Sequence, residues 1–312
     1  MDTAALHPVG ATVTDLDLTT CAAALVDLLA EHGVLVLPDQ EIDDAAFRAF
    51  LQAFGPLAFT PGETPLPGFP DLNVISNVGR ATPPRSTFHV DTSYVARPPA
   101  YTALRAVAVP AQGGATQFTN QYHAFETLPP AMREKLAGRT IRHVVTGVAP
   151  GEAGAETEAE HPVLRRHPVS GRTALYLSTP ARCVAVSGMS EAESRETVEY
   201  LFAHSTRADN VLRHAWSPGD LVIWDNACVL HRADHSGVVG DRVMHRGMVA
   251  GNVPVPAQHS TAATRSSNSS ATPIPAASAI VATTDARANE QYSPASRNHG
   301  RPCGSIRKSN RP

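Results

Sequence analysis

The chain has 312 residues, of which 42% are hydrophobic and 18% charged, and its formal net charge is -3. That is enough for one large domain or two small ones with a substantial core, and the near-balanced charge gives no electrostatic case for a nucleic-acid partner. No apolar run approaches membrane-spanning length, and Met1 to Gly10 lack the basic-then-apolar pattern of a secretory signal, so no membrane association and a cytoplasmic location are expected. The four cysteines, Cys21, Cys183, Cys228 and Cys303, are scattered without a C-x-x-C pair, which fits neither a disulfide framework nor a structural zinc site.

Residues 20–32 place Leu25, Leu28 and Leu29 at helical spacing and stop at Gly33. Val34-Leu35-Val36-Leu37 reads as a buried strand ended by Pro38. Asp43 and Asp44 then start a helix carrying Phe47, Phe50, Leu51 and Phe54, closed by Gly55-Pro56. Short apolar runs bounded by Pro and Gly follow at 72–76, 101–109, 140–145, 173–177, 220–224 and 242–249, interrupted by helices near 121–137 and 190–206. Short, widely separated strands of this kind suit a mainly β fold, an antiparallel barrel or jelly roll with flanking helices.

Composition changes near Asn252. Beyond it the chain is rich in Ala, Ser, Thr, Pro and Asn, with Tyr292 its one aromatic, and such a segment buries too little apolar surface to offset its ordering entropy. We expect residues 1–251 to form the domain and 252–312 a disordered tail. The tail carries seven Arg/Lys against two acids, a net of +5, which leaves -3 - 5 = -8 for the body.

Phe88-His89-Val90-Asp91 is the first motif with chemical content. On a strand His89 and Asp91 share a face, so an imidazole nitrogen and a carboxylate oxygen can reach one cation. With 14 His and 29 acids, about one His-x-Asp/Glu arises by chance, so the motif alone is weak. His231 supplies a second imidazole at the end of Val229-Leu230-His231. Two His and one carboxylate occupy one face of an iron(II) octahedron and leave positions open, whereas a structural zinc site closes its coordination with four protein ligands. After a polar loop, Arg242-Val243-Met244-His245-Arg246 begins the next strand, with Arg242 and Arg246 on one face and His245 on the other. If that face lines the barrel, each guanidinium needs an anion, because a buried unpaired charge costs several kcal/mol.

With these pieces in place the sequence resembles the taurine dioxygenase family, which also includes aryloxyalkanoate and alkylsulfate dioxygenases. The resemblance spans roughly residues 8–251 and rests on an ordered set: Gly33 to Leu37, Phe54-Gly55-Pro56-Leu57, His89-Val90-Asp91, Leu104 to Val107, Gly113-Gly114-Ala115-Thr116, His161-Pro162-Val163, His167 to Gly171, Pro218-Gly219-Asp220, Trp224-Asp225-Asn226, His231, and Arg242 to Arg246. It implies a double-stranded β-helix and a dioxygenase dependent on Fe(II), 2-oxoglutarate and O2, which releases succinate and CO2 as it hydroxylates its substrate. It makes His89, Asp91 and His231 the metal-binding and catalytic residues, and Thr116 and Arg242 the holders of the distal carboxylate of 2-oxoglutarate. Related halogenases lack the carboxylate ligand, so Asp91 points to hydroxylation.

The same resemblance assigns Arg246 to an acidic group of the substrate, and groups Arg85, Thr60 and Thr92 with the substrate residues. Thr60 stands where taurine enzymes have a His that helps hold the sulfonate, and Arg85 where they have an Asn. The expected substrate is therefore a small organic acid, a carboxylate, sulfonate or sulfate ester, with taurine disfavoured. Residues 146–160, rich in Gly, Ala and Glu, are expected to form a mobile lid. A non-catalytic cupin-like binding protein and a zinc hydrolase remain as other readings, and assembly into a homo-oligomer stays open.

Overall fold

The computed structural model describes residues 1–60, 62–79, 86–147 and 156–258. Its centre is a nine-stranded sheet in which the strands run in the order Asp2–Ala5, Ala11–Thr14, Val34–Leu37, Leu221–Asp225, Tyr101–Ala108, Val243–Val249, Phe69–Ser76 and Pro65–Leu66, with Leu57–Ala58 added beside Val243–Val249. All pairs are antiparallel except Ala11–Thr14 on Val34–Leu37.

Alternation along the central strands explains why they read as continuous apolar runs. Leu35, Leu37, Leu221 and Ile223 point to one face, where the helices Ala22–His32 and Asp44–Gln52 deliver Leu25, Leu29, Phe47, Phe50 and Leu51. Val34, Val36, Val222 and Trp224 point to the other, against Phe118 and Val229 of a three-stranded sheet ordered Val211–His214, Thr116–Asn120, Val229–Ala233. A strand covered on both faces has no polar side to show. The protein is mainly β, with the large sheet lying between helices and a smaller sheet.

Both helices covering the large sheet are fixed at an end by local chemistry. Asp43 caps the second helix by accepting Ala46 N–H at 2.8 Å. The first ends at Gly33, whose φ of 77° favours glycine, and a Cβ there would stand 2.9 Å from Val229 Cγ2. On the same outer face Asp44 joins Arg105 and His245, each at 2.6 Å, so His245 lies opposite to Arg246 as its position in the strand predicts.

The expected elements are largely present, with three corrections. The helix expected near 121–137 is two, Gln121–Glu126 and Pro130–Leu136, because Pro129 and Pro130 interrupt it. The expected loop over 146–160 is shorter, since Glu158–Pro162 pairs with Thr140–Val144; residues 148–155 lie outside the described residues. The domain runs past 251, because Val255–Pro256 pairs with Leu164–Arg166 and Ala257 N–H donates to Leu164 O at 2.8 Å. Of the expected tail, residues 259–312 lie outside the described residues. No helix among the described residues is long and apolar enough to cross a membrane.

Phe47 is fully buried between the Asp44–Gln52 helix and the sheet. Phe47→Ala should lower the unfolding free energy by about 3–5 kcal/mol in chemical denaturation. A loss below about 1 kcal/mol would show that this helix contributes little to the core.

Candidate metal and co-substrate site

His89 and His231 are 142 residues apart in the chain, yet their backbones form an isolated two-bond bridge. His89 N–H donates to His231 O and His231 N–H to His89 O, both at 3.0 Å. The bridge brings the two rings together, tilted at 44° with centroids 4.4 Å apart. Asp91, two residues on from His89, turns its carboxylate between them: Oδ1 is 3.6 Å from His89 Nε2, and Oδ2 is 3.6 Å from His231 Nε2. One donor atom from each of the three lies within 4.8 Å of the other two. At such separations the three atoms could all reach one small cation.

Neighbouring groups fix these donors in the form a cation needs. His89 Nδ1 lies 2.8 Å from Thr87 O, so its proton sits there and Nε2 keeps a free lone pair. Thr102 Oγ1 donates to Asp91 Oδ2 at 2.8 Å, and Asn226 Nδ2 donates to Thr102 Oγ1 at 2.9 Å, which sets the direction of the hydroxyl. Burial pushes the Asp91 carboxyl up, but His231, His89 and Arg246 outweigh it and hold the group well below the usual carboxylate range. Burial pulls His231 down to about 3, opposed by Asp91. At neutral pH the site therefore holds a carboxylate and a neutral His231, both ready to ligate.

Arg242 is 1% exposed, and no carboxylate among the described residues pairs with it. Its Nε donates to Gly114 O at 2.7 Å and its Nη2 to Thr116 Oγ1 at 3.2 Å. Trp216 Nε1 also donates to that hydroxyl at 3.0 Å, leaving the Thr116 proton free to serve something else. Burial lowers Arg242 to about 10, so it stays charged at neutral pH. Gly114 admits this approach: a Cβ there would lie 2.9 Å from Pro110 Cγ and 3.0 Å from Arg242 Cδ. In the small sheet Phe118 pairs with His231 and Thr116 with Ala233, which puts Thr116 one two-residue repeat, about 7 Å along the strand, from the residue opposite His231.

Arg246 behaves differently. Its Nη2 donates to Glu63 Oε2, its Nε donates to Asn73 Oδ1 at 3.1 Å, and its Nη1 lies 3.6 Å from Asp91 Oδ1. The argument that burial leaves it needing an external anion therefore fails for Arg246, because Glu63 already supplies one; it stands for Arg242. Thr60 and Glu63 belong to one turn, with Glu63 N–H donating to Thr60 O at 3.3 Å. Thr92, with φ of 38°, turns the chain directly after Asp91. Arg85 lies outside the described residues.

Sequence reasoning missed Thr102, Asn73, Glu63 and Trp216. Only Asn226 had a signal, in Trp224-Asp225-Asn226. A second cluster of ligand-type residues, His167, Asp225 and Cys228, is also buried. Its lone pairs are already used: His167 Nδ1 accepts the N–H groups of Val169 and Ser170 at 3.3 and 3.1 Å, Nε2 bonds Asp225 at 2.9 Å, and Asp225 Oδ1 accepts Ala227 N–H at 2.7 Å. It is a structural network, and Cys228 is buried within it.

The sequence profile described as "Taurine catabolism dioxygenase TauD, TfdA family" matches residues 2–248. The chain belongs to this dioxygenase family. Among its relatives, the alpha-ketoglutarate-dependent 2,4-dichlorophenoxyacetate dioxygenase of Cupriavidus pinatubonensis is 29% identical over 77% of this chain and 94% of its own. The alpha-ketoglutarate-dependent sulfate ester dioxygenase of Pseudomonas putida is 30% identical over 77% and 84%. Of solved structures, a taurine dioxygenase from Burkholderia xenovorans superposes with a TM-score of 0.71 at 28% identity, covering 82% of this chain and 92% of that one. AAD-2 in complex with Mn(II) and N-oxalylglycine gives 0.71 at 26% identity, covering 81% and 98%.

Thr102→Val removes the hydroxyl that aims Asp91 while keeping the side-chain shape. It should weaken Mn(II) binding by roughly ten- to a hundredfold in a titration of the metal-free protein. Unchanged affinity would show that Asp91 is held without it.

Proposed function

We propose that the chain is an Fe(II)- and 2-oxoglutarate-dependent dioxygenase on a double-stranded β-helix, and that it hydroxylates a small organic acid while releasing succinate and CO2. The observation that carries this reading is the buried, acid-free Arg242 with the Thr116 hydroxyl beside it, Thr116 standing one strand repeat from the residue that pairs with His231 of the His89, Asp91 and His231 cluster. A zinc hydrolase or a simple metal-binding barrel has no use for that cation. A dicarboxylate that reaches the metal with one end and Arg242 with the other accounts for both features.

His89 Nε2, Asp91 and His231 Nε2 would hold the iron, which, when bound, supplies the oxidative chemistry with O2. The chain's residues do the rest. Arg242 and Thr116 take the distal carboxylate of 2-oxoglutarate by charge-assisted hydrogen bonds, a planar fork matched to a carboxylate. Thr102 and Asn226 hold Asp91 in place, and a bound iron would keep coordination positions that no protein atom fills. With three protein donors rather than four, those positions are free for the co-substrate and O2.

The relatives act, by their names, on 2,4-dichlorophenoxyacetate and sulfate esters, and Arg246 beside Asp91 is the seat we assign to the acidic group of this enzyme's substrate. A cytoplasmic location accords with the free, buried thiols of Cys21, Cys183 and Cys228.

His231→Ala should abolish succinate formation and weaken Mn(II) binding; full activity in that variant would overturn the ligand assignment. Arg242→Ala should raise the 2-oxoglutarate requirement by about a hundredfold, the scale of a lost charge-assisted contact of roughly 3 kcal/mol. An unchanged requirement, measured by succinate release across a 2-oxoglutarate series, would place the distal carboxylate elsewhere.

A further inference from the structure

The seat assigned to the substrate's acidic group is already filled from within the chain. All three nitrogens of the Arg246 guanidinium face a partner: Nη2 donates to Glu63 Oε2, Nε donates to Asn73 Oδ1 at 3.1 Å, and Nη1 forms an ion pair with Asp91 Oδ1 at 3.6 Å. Asn73 closes the ring by donating from Nδ2 to the same Glu63 oxygen at 2.5 Å. An acid entering this seat must therefore replace one of the three.

They are not held equally. Asp91 is 4% exposed and takes the Thr102 hydroxyl on its other oxygen. Asn73 is 5% exposed and sits inside the strand Phe69–Ser76, paired on one side with Arg246 and on the other with Pro65. Glu63 lies in a turn outside any strand, and its side chain is 32% exposed against 11% for Arg246. If the pair opens, the carboxylate can regain water at the surface, whereas the arginine cannot and needs a replacement anion. Glu63 is the partner that yields.

We propose that Glu63 is a specificity-determining latch on the substrate seat: it neutralises Arg246 until an acidic substrate displaces it. The proposal rests on the placing of the substrate's acid at Arg246. A tethered carboxylate competes at the high effective concentration of an intramolecular partner, so weakly binding anions are turned away and only acids with further contacts to the pocket are retained. Glu63 takes no part in holding metal or 2-oxoglutarate, so it acts on substrate affinity alone.

The test uses the full-length protein with Fe(II) and saturating 2-oxoglutarate under anaerobic conditions, titrated calorimetrically with 2,4-dichlorophenoxyacetate and, separately, with sodium sulfate. Glu63→Gln should bind at least one of these anions about tenfold or more tightly than the wild type, because the internal competitor has lost its charge. Glu63→Asp, still an anion, should stay near the wild type, and adding Arg246→Ala to Glu63→Gln should remove the gain. Equal or weaker binding by Glu63→Gln overturns the latch, as does absence of binding in both forms, or a gain that survives Arg246→Ala. A merely structural role for Glu63 would weaken binding in every variant. The visible charge-transfer band of the Fe(II) and 2-oxoglutarate complex, read before any acid is added, reports separately on the proposed function. Its absence from wild type and variant alike would sink that reading, while the anion titrations still decide the latch.

Discussion

Two reciprocal backbone hydrogen bonds between His89 and His231 hold the site together. They tie an extended segment with no other strand pairing to the small sheet, and so bring residues from distant parts of the chain to one point. Side chains alone would not do this, because two imidazoles and a carboxylate have little reason to converge without a cation. Each backbone bond contributes modestly to stability, about 1 kcal/mol. Its importance is positional: the bridge fixes where both rings start, and the Thr87 carbonyl and Thr102 hydroxyl then fix where His89 and Asp91 point.

The two arginines of one strand show how the same residue type, equally placed by sequence, can be given opposite electrostatic states. Both face the interior. Arg242 is surrounded by neutral acceptors, a carbonyl and a hydroxyl, which satisfy its geometry but leave its charge uncompensated. Arg246 has two carboxylates within reach. The first therefore keeps a positive charge that no carboxylate among the described residues offsets, while the second has its charge met from within the chain.

Much of the architecture was legible because it follows from local rules. Double-sided burial makes Val34–Leu37 and Leu221–Asp225 unbroken apolar runs, Gly33 ends a helix at positive φ, and Asp43 starts one by capping. The alternation of Arg242, His245 and Arg246 could be read from strand periodicity, whereas the His-x-Asp motif was weak until His231 and the ordered set of family motifs joined it. Thr116–Asn120 and Val229–Ala233 were harder, since short half-polar strands announce themselves only through their partners. What the sequence hid was pairing across long separations. Nothing about a Gly-Glu turn at position 63 says that its carboxylate will meet an arginine 183 residues later, and Thr102 in an apolar strand looks like any other β-branched residue.

The two anion seats are also built from different kinds of structure. Arg242, Thr116 and Gly114 come from strand ends and a glycine turn so close-packed that an added methyl group at Gly114 would stand 2.9 Å from Pro110 and 3.0 Å from the arginine. The seat at Arg246 is closed by a residue in a surface turn. Random mutation will therefore act on them unequally. On the roles proposed above, changes at the first would destroy the enzyme and be removed by selection, whereas changes at the turn would alter which acid is accepted and leave the oxidation chemistry whole. A lineage carrying this fold can keep one co-substrate and explore many substrates, one short turn at a time.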